Sequence, residues 1–309
     1  MKIWWTAFLI FFLPLFYQPF AQAGDPRLEN SRFVIYYEAR DGFLAAELER
    51  ESLSIRKRII ADIGVDFYEK TEVRLCATLE AFRDAQPDRN RVPLWAVGVA
   101  YPGDNIIVLR SPRAVPGSSV DVLSVFAHEF SHIALGRALM DVAVPIWLDE
   151  GLAMYEAREW TFSRFAVLSG AALTDRLIPL AVLTGAFPGD TDQAELAYAE
   201  SFMFVSFLIN KAGQGAFHRL IRDFTRYGDL EGAFRRATGM SGAALEKEWL
   251  FYLKLRVSWI PIITSVSTLW FVTTLIFIYG YYRKKRQAAK RLREMEEEEG
   301  GNDPQDIWH

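Results

Sequence analysis

The sequence predicts an α+β protein in which a small mixed N-terminal β-sheet precedes a mainly helical lobe, with one transmembrane helix near the C-terminus. Three observations lead to this prediction. Short runs of β-branched and aromatic residues are concentrated before Ser111, helical periodicity dominates after it, and residues 257–282 contain no charged side chain. Sheet first and helices second is the order typical of α+β domains.

Short segments bounded by turn residues predict the strands. They are residues 32–39, 71–78, 96–101 and 105–111. Segment 71–78 alternates apolar and polar residues, which predicts a half-buried strand. The last two segments are joined by Pro102, Gly103 and Asp104, a sequence typical of a turn. A helix over 44–63, ended by Gly64, falls between the first two strands.

Helical periodicity and capping residues predict the second lobe. The predicted helices span about 146–158, 193–212, 215–226, 229–238 and 242–255. Ser118 followed by Asp121 resembles a capping pair just before a segment that contains two histidines. No fixed-period repeat is visible, and the exported region is long enough to fold as one unit, with two lobes as the alternative.

The N-terminus, residues 1–23, reads as a signal peptide. Lys2 precedes an apolar run, and Ala21-Gln22-Ala23 is a small-x-small cleavage sequence. An uncleaved anchor helix is the alternative, but Pro14 and Pro19 disfavour it.

Residues 257–282 are long enough to span a bilayer and are followed by a basic cluster over 283–293. Such clusters remain on the cytoplasmic side. We therefore expect a transmembrane helix over 257–282, a cytoplasmic tail over 283–309, and residues 24–256 outside the cytoplasm, in the periplasm or on the outer face of the cell membrane. A buried core helix is the alternative for 257–282.

Composition limits the partners. The net charge of −4 argues against nucleic acid. The tail, basic and then acidic, is expected to be solvated and partly disordered, and it is a candidate for binding a cytoplasmic partner. Cys76 is the only cysteine, so no internal disulfide supports the exported region and its core must carry the fold.

The stretch AHEFSHIALG, residues 127–136, places His128 and His132 four residues apart. On a helix they lie on one face, where both imidazoles reach one cation. Glu129 is rotated by about 100° from His128, which suits a general base acting on metal-activated water. Two histidines satisfied within an ordinary helix are the alternative.

A catalytic zinc with two histidines needs a third protein ligand, commonly a carboxylate. Glu150, in WLDEGLA, follows His132 by enough residues for the chain to turn back. Small Gly151 and Ala153 should let its helix approach the histidine helix, while Trp147 and Leu148 should anchor it in the core. The rival ligands are Asp149, Glu156 and Glu159.

HEFSH followed by WLDEGLA resembles the gluzincin metallopeptidases, and more narrowly the bacterial peptidase MA-like domains. The resemblance runs through most of residues 32–255, including FVIYYEA, VRLCATLEAF, AVGVAY, AYAESFMFVSFL and ATGMSGAALEKEW. It implies a zincin-like fold with one Zn²⁺ per chain, held by His128, His132 and Glu150, and Glu129 as general base and acid. The GxMxN-type signature of zinc aminopeptidases is absent, so the resemblance does not extend to their specificity.

Peptide hydrolysis also needs a donor that stabilises the oxyanion. Tyr198 is the first candidate, with Ser201 one turn later to orient it, and Tyr155 is the second. Both also fit ordinary packing residues. His218 is expected to be an ordinary helix histidine. A peptide substrate is expected to add as a strand to a free sheet edge at residues 96–100, unless that strand is internal.

The sequence thus predicts a membrane-anchored zinc peptidase that cleaves protein or peptide substrates outside the cytoplasm. A zinc-containing binding or scaffold protein with weak or no catalysis is the alternative, and hydrolysis of a non-peptide bond is a third hypothesis.

Overall fold

The computed structural model describes residues 26–87, 92–93, 95–115, 117, 120–140, 142–257 and 266–300. These form two compact units. The first takes in the described residues up to Ala171 together with Arg176–Trp249, and the second takes in Ala172–Asp175 and the described residues from Leu250 onward. The predicted signal peptide, 1–23, lies outside the described residues.

A five-stranded mixed sheet forms the N-terminal part of the first unit. Its strands are β1 (Arg27–Glu29), β2 (Phe33–Tyr37), β3 (Thr71–Cys76), β4 (Gly98–Tyr101) and β5 (Ile106–Arg110). The spatial order is β1-β2-β3-β5-β4. The three inner strands run parallel, and β1 and β4 are antiparallel to their neighbours. The predicted mixed sheet is confirmed, and the short strand β1 is an addition to the four strands predicted.

Helices make up most of the remaining chain. They are α1 (Gly42–Ile63), α2 (Leu79–Asp84), α3 (Val122–Leu139), α4 (Ile146–Ala157), α5 (Phe162–Leu173), α6 (Leu180–Leu183), α7 (Thr191–Phe207), α8 (Gln214–Tyr227), α9 (Leu230–Thr238), α10 (Gly242–Val257) and α11 (Val266–Gly300). The described residues also contain two short 3₁₀ turns, Ala39–Asp41 and Pro112–Ala114, and a π turn, Leu208–Ala212. The helices predicted from periodicity are confirmed; α2, α5 and α6 were not predicted.

Aromatic packing fixes α3 against the sheet. Phe33 of β2 makes edge-to-face contacts with Phe126 and Phe130, each at a ring-centroid distance of 5.3 Å. All three side chains are fully buried. Because such contacts are close-packed and directional, the helix that carries the histidines is held rigidly on the sheet.

Strand β3 is more buried than its alternating pattern predicted. Arg74 and Cys76, expected on a solvated face, are both buried, because the unpredicted helix α2 covers that face. Cys76 packs with Phe82 and Ala85 there. Burial raises the pKa of the Cys76 thiol to about 12.

Helix α3 begins at an aspartate cap. The carboxylate of Asp121 accepts hydrogen bonds from the backbone N–H groups of Leu123 and Ser124, at 3.1 and 3.2 Å. Asp121 is therefore the N-cap itself, and not the later member of a capping pair as predicted. Ser118 lies outside the described residues.

The predicted transmembrane helix over 257–282 is wrong. Across the described residues, no helix combines the length and the apolar character that crossing a bilayer requires. The described part of the predicted span, Val266–Tyr282 at the start of α11, carries several threonines and tyrosines among its apolar residues, and residues 258–265 lie outside the described residues.

Within the predicted tail, α11 continues as a helix through the basic cluster to Gly300, and residues 301–309 lie outside the described residues. The assignment of residues 24–256 to the outside of the cytoplasm depended partly on the rejected span, and it stays a prediction. So do the predicted domain boundaries.

Candidate metal centre

The two histidines of α3 lie side by side. His128 and His132 are one helical turn apart, with ring centroids separated by 5.0 Å. Both side chains are mostly buried, with 19% and 14% of their surface exposed. The helix therefore presents two imidazoles to the same small, partly shielded space.

Glu150 of α4 joins them. Its Oε2 lies 3.7 Å from Nε2 of His128. One ligand atom from each of His128, His132 and Glu150 lies within 4.8 Å of the other two. Ligands of one tetrahedral zinc lie roughly 3.3 Å apart, so the trio needs only small adjustments to share one ion. Two imidazoles with one carboxylate is also a donor set that suits zinc.

The other nitrogen of each imidazole faces a different carboxylate. Nδ1 of His132 lies 2.8 Å from Oδ1 of Asp149, and Nδ1 of His128 lies 3.1 Å from Oε1 of Glu159. Each carboxylate can accept a hydrogen bond from Nδ1–H of its histidine. The lone pair of that histidine then lies on Nε2, where it can bind a metal ion. Asp149 and Glu159, named as rival ligands, thus approach the imidazoles from the side away from Glu150.

Glu156, the third rival ligand, belongs to a different part of the domain. It is fully buried and accepts a hydrogen bond from Nη1 of Arg58 at 2.7 Å. Burial, followed by a hydrogen bond with Asp62, raises the pKa of Glu156 to about 8. Its partners lie on α1, so Glu156 ties that helix to α4 and is not part of the histidine cluster.

Glu129 is buried beside the edge of the sheet. Only 8% of its surface is exposed. A Cβ atom added to Gly98 of β4 would lie 2.6 Å from Oε1 of Glu129, so the backbone of β4 passes directly along this carboxylate because residue 98 is glycine. Burial raises the pKa of Glu129, against the opposing effect of His128 and His132.

The surrounding acids also act on the histidines. Burial alone lowers the pKa of an imidazole, but hydrogen bonds with Glu150 and Glu159 outweigh it and raise the pKa of His128 to about 10. For His132 the charge and hydrogen bond of Asp149 outweigh burial and raise the pKa to about 9. The cluster thus attracts positive charge, either as protons or as a cation.

Helix α4 is held in position by its buried face. Trp147 and Leu148 are fully buried, as predicted. Gly151 was expected to let α4 approach the histidine helix, but its close contact is with α7: an added Cβ would lie 2.4 Å from the carbonyl oxygen of Ser201. Gly151 therefore allows α4 to lie close to α7. The position of α4 in turn determines the position of Glu150, the adjacent residue on that helix.

The two candidate tyrosines occupy different surroundings. Burial, and then the charge of Glu150, raises the pKa of Tyr198 to about 12, and its ring packs edge-to-face on Phe187. Burial also raises the pKa of Tyr155, but the acids that act on it are Asp62 and Glu156. Of the two tyrosines, Tyr198 is therefore the one that is affected by the charge of Glu150.

Ser201 does not orient Tyr198 as proposed from the sequence. Its hydroxyl donates a hydrogen bond to the carbonyl oxygen of Ala197 at 2.7 Å and is fully buried. His218 is an ordinary helix histidine whose Nε2 lies 2.7 Å from the carbonyl oxygen of Ala61.

Sequence reasoning missed two residues that surround the centre. Nε of Arg164, on α5, donates to Oε1 of Glu195, on α7, at 3.2 Å, and Nη1 of Arg164 lies 3.6 Å from Oε2 of Glu159. Neither residue belongs to a short motif, and α5 itself was not predicted, so no local signal pointed to them.

Comparison with known families decides the affiliation of this domain. The family model described as the peptidase MA superfamily matches residues 58–255. The chain belongs to the peptidase MA superfamily. The matched range contains the whole histidine cluster, and the predicted resemblance to gluzincin-type peptidase MA domains is confirmed at this level. Membership in this superfamily supports a peptidase function.

Solved structures add only a distant likeness. The chain is similar to the crystal structure of a mutant M1 zinc metallopeptidase from Deinococcus radiodurans, with 14% sequence identity and a TM-score of 0.33. The similarity covers 75% of this chain and 50% of that one, so the chain spans half the length of that enzyme. No curated protein matches the chain.

Proposed function

We propose that this protein is a zinc-dependent peptidase that hydrolyses peptide bonds in protein or peptide substrates. One observation carries the proposal: within a peptidase MA domain, His128, His132 and Glu150 converge so that their ligand atoms lie within 4.8 Å of one another. Asp149 and Glu159 face the Nδ1 atoms of the two histidines, which leaves both Nε2 atoms available for an ion.

In this proposal His128, His132 and Glu150 hold one zinc ion per chain. When bound, zinc lowers the pKa of water towards neutrality and polarises a carbonyl group. Glu129 takes the proton of the attacking water at its carboxylate and delivers it to the nitrogen of the leaving amine. Its buried position next to Gly98 keeps that carboxylate in one place.

The sheet edge provides a way to hold the substrate. Strand β4 is terminal in the sheet order, and among the described residues no strand pairs with its outer side. An extended peptide hydrogen-bonded along β4 would pass the Glu129 carboxylate, since Gly98 brings the two together. Tyr198 is the proposed donor to the oxyanion, supported by the influence of Glu150 and Glu159 on its hydroxyl.

Metal analysis and a cleavage assay on the full-length protein test this proposal. Purified protein should contain about one zinc per chain and cleave an unfolded protein substrate. Glu129→Gln should keep the zinc and lower kcat by about 10²–10⁴-fold, while Glu51→Gln, a matched change at a surface glutamate on α1, should have no effect. Unchanged cleavage by Glu129→Gln would refute the assigned base. A wild-type protein that binds zinc and cleaves nothing would favour the binding or scaffold alternative.

A further inference from the structure

Glu159 reaches the metal centre from beyond the end of α4. The helix closes at Arg158, a non-glycine residue in the left-handed conformation with φ of 58°. The backbone N–H of Arg158 donates to Tyr155 O, and that of Glu159 donates to Met154 O at 3.0 Å. This closure turns the chain back, so that Glu159 faces Nδ1 of His128 on the neighbouring helix.

Arg164 holds both ends of Glu159. Its Nη1 donates to the backbone carbonyl of Glu159 and lies 3.6 Å from the side-chain Oε2. The Nε of the same guanidinium donates to Glu195 on α7. Only 20% of the Arg164 side chain is exposed, so the planar group is fixed between two acids and a carbonyl, a geometry that lysine cannot reproduce.

We propose that Arg164 is a positioning residue for the metal centre: by fixing Glu159 it orients the imidazole of His128, and so sets how tightly the site binds zinc. This inference rests on the proposed function. Within the described part of the chain, Arg164 contacts none of the three proposed ligands, and it acts on the centre through Glu159. Glu159 contacts the imidazole of His128 directly, and residues in that position typically change metal affinity by about 10–100-fold when altered. Arg164 stands one step further out, so its effect should fall at the lower end of this range.

The charges are consistent with this arrangement. The Glu159 carboxylate lies between two positively polarised groups: Oε1 is 3.1 Å from Nδ1 of His128 and Oε2 is 3.6 Å from Nη1 of Arg164. Loss of Arg164 removes one cation from this chain of contacts and also removes the hydrogen bond to the backbone carbonyl of Glu159.

The test is zinc affinity, measured on the full chain by competition with a chromophoric chelator. Glu159→Ala should weaken zinc binding by about 10–100-fold, and Arg164→Met should weaken it by about 10-fold, the lower end of this range. The double variant should lose little more than Glu159→Ala alone, because the two residues act in series. Arg235→Met is the matched control: it removes an exposed arginine that pairs with Glu231 on α9 and should leave zinc affinity unchanged.

A second readout separates positioning from general damage. The visible absorption of the Co²⁺-substituted protein should change in Arg164→Met, while urea unfolding of the metal-free protein should stay close to wild type. If Arg164→Met does not fold, Arg164→Lys replaces it and should show a smaller loss of affinity in the same direction.

The outcomes distinguish the two proposals. Wild-type zinc affinity in Arg164→Met, or in Arg164→Lys where it replaces that variant, would overturn the role of Arg164, and wild-type affinity in Glu159→Ala would overturn the role of Glu159 as well. A wild-type protein that binds no zinc would overturn this inference together with the proposed function. Zinc binding without cleavage would overturn only the peptidase activity.

Discussion

Asp149 Oδ1 lies 2.8 Å from Nδ1 of His132, although Asp149 is the immediate neighbour of Glu150 on α4. Successive residues of a helix point about 100° apart, so two adjacent acids reach opposite sides of the same histidine pair. Glu150 faces the Nε2 side of the pair, and Asp149 faces Nδ1, the other ring nitrogen of His132.

This relationship gives the first prediction. Asp149→Ala should weaken zinc binding by about 10–100-fold, because His132 loses the acceptor that fixes its ring. Asp149→Asn should lose less, since the amide oxygen still accepts Nδ1–H. Chelator competition measures both. Equal affinity in wild type and Asp149→Ala would show that His132 needs no such partner.

The second prediction concerns the contact between β4 and Glu129. Gly98→Ala places a methyl group 2.6 Å from Oε1 of Glu129 and 2.7 Å from Cγ1 of Val125. The carboxylate must move, so kcat should fall by about 10-fold or more while zinc content stays at the wild-type level. Gly103→Ala, where an added Cβ meets no atom within 4 Å, is the control and should leave kcat unchanged.

The third prediction concerns the packing of α4 on α7. Gly151→Ala should lower the free energy of unfolding by about 1–3 kcal/mol, because its Cβ would lie 2.4 Å from a backbone oxygen that cannot rotate away. Gly170→Ala, in the interior of α5 with no atom within 4 Å of the new Cβ, should raise it by about 0.5–1 kcal/mol. Urea unfolding monitored by circular dichroism measures both, and equal effects would contradict the packing argument.

The fourth prediction concerns pH. Glu200 is buried and accepts the backbone N–H of Ile178 at 2.9 Å. Burial outweighs this hydrogen bond and raises the pKa of Glu200 to about 8, from 4.5. A raised carboxyl pKa stabilises the fold fully below about pH 4.5, and this contribution is lost as pH rises through 8.

Glu200→Gln cannot ionise and still offers an oxygen to Ile178. It should therefore be more stable than wild type at pH 9, by about 1 kcal/mol or more, and nearly equal to it at pH 4.5. Thermal unfolding at the two pH values measures the difference. If Glu200→Gln is more stable than wild type by the same amount at both pH values, ionisation of Glu200 is not the cause.

Part of the fold and site could be predicted because the relevant signals are local. The four-residue spacing of His128 and His132 and the WLDEGLA sequence around Glu150 define the cluster without knowledge of distant contacts. Strand and helix periodicity likewise revealed most elements. The predicted roles of these residues as ligands and base remain predictions until metal binding and activity are measured.

The remainder depended on tertiary structure. Nothing in the local sequence indicated that α2 covers Arg74 and Cys76. The partner of Gly151 is fifty residues away on α7, and periodicity does not identify which neighbour a small residue approaches. The transmembrane prediction failed for a different reason: it counted uncharged residues, while the described part of that stretch, from Val266, includes many hydroxyl-bearing side chains.

The burial of Cys76 has a practical consequence. It is the only cysteine of the chain, and with a pKa of about 12 it carries almost no thiolate at neutral pH, so maleimide reagents will not label it in the native state. A cysteine introduced on the surface would therefore be modified selectively without first replacing Cys76. Pairs of such positions on strand β4 and helix α7 would allow fluorophore or spin-label distances to be recorded while a peptide is added.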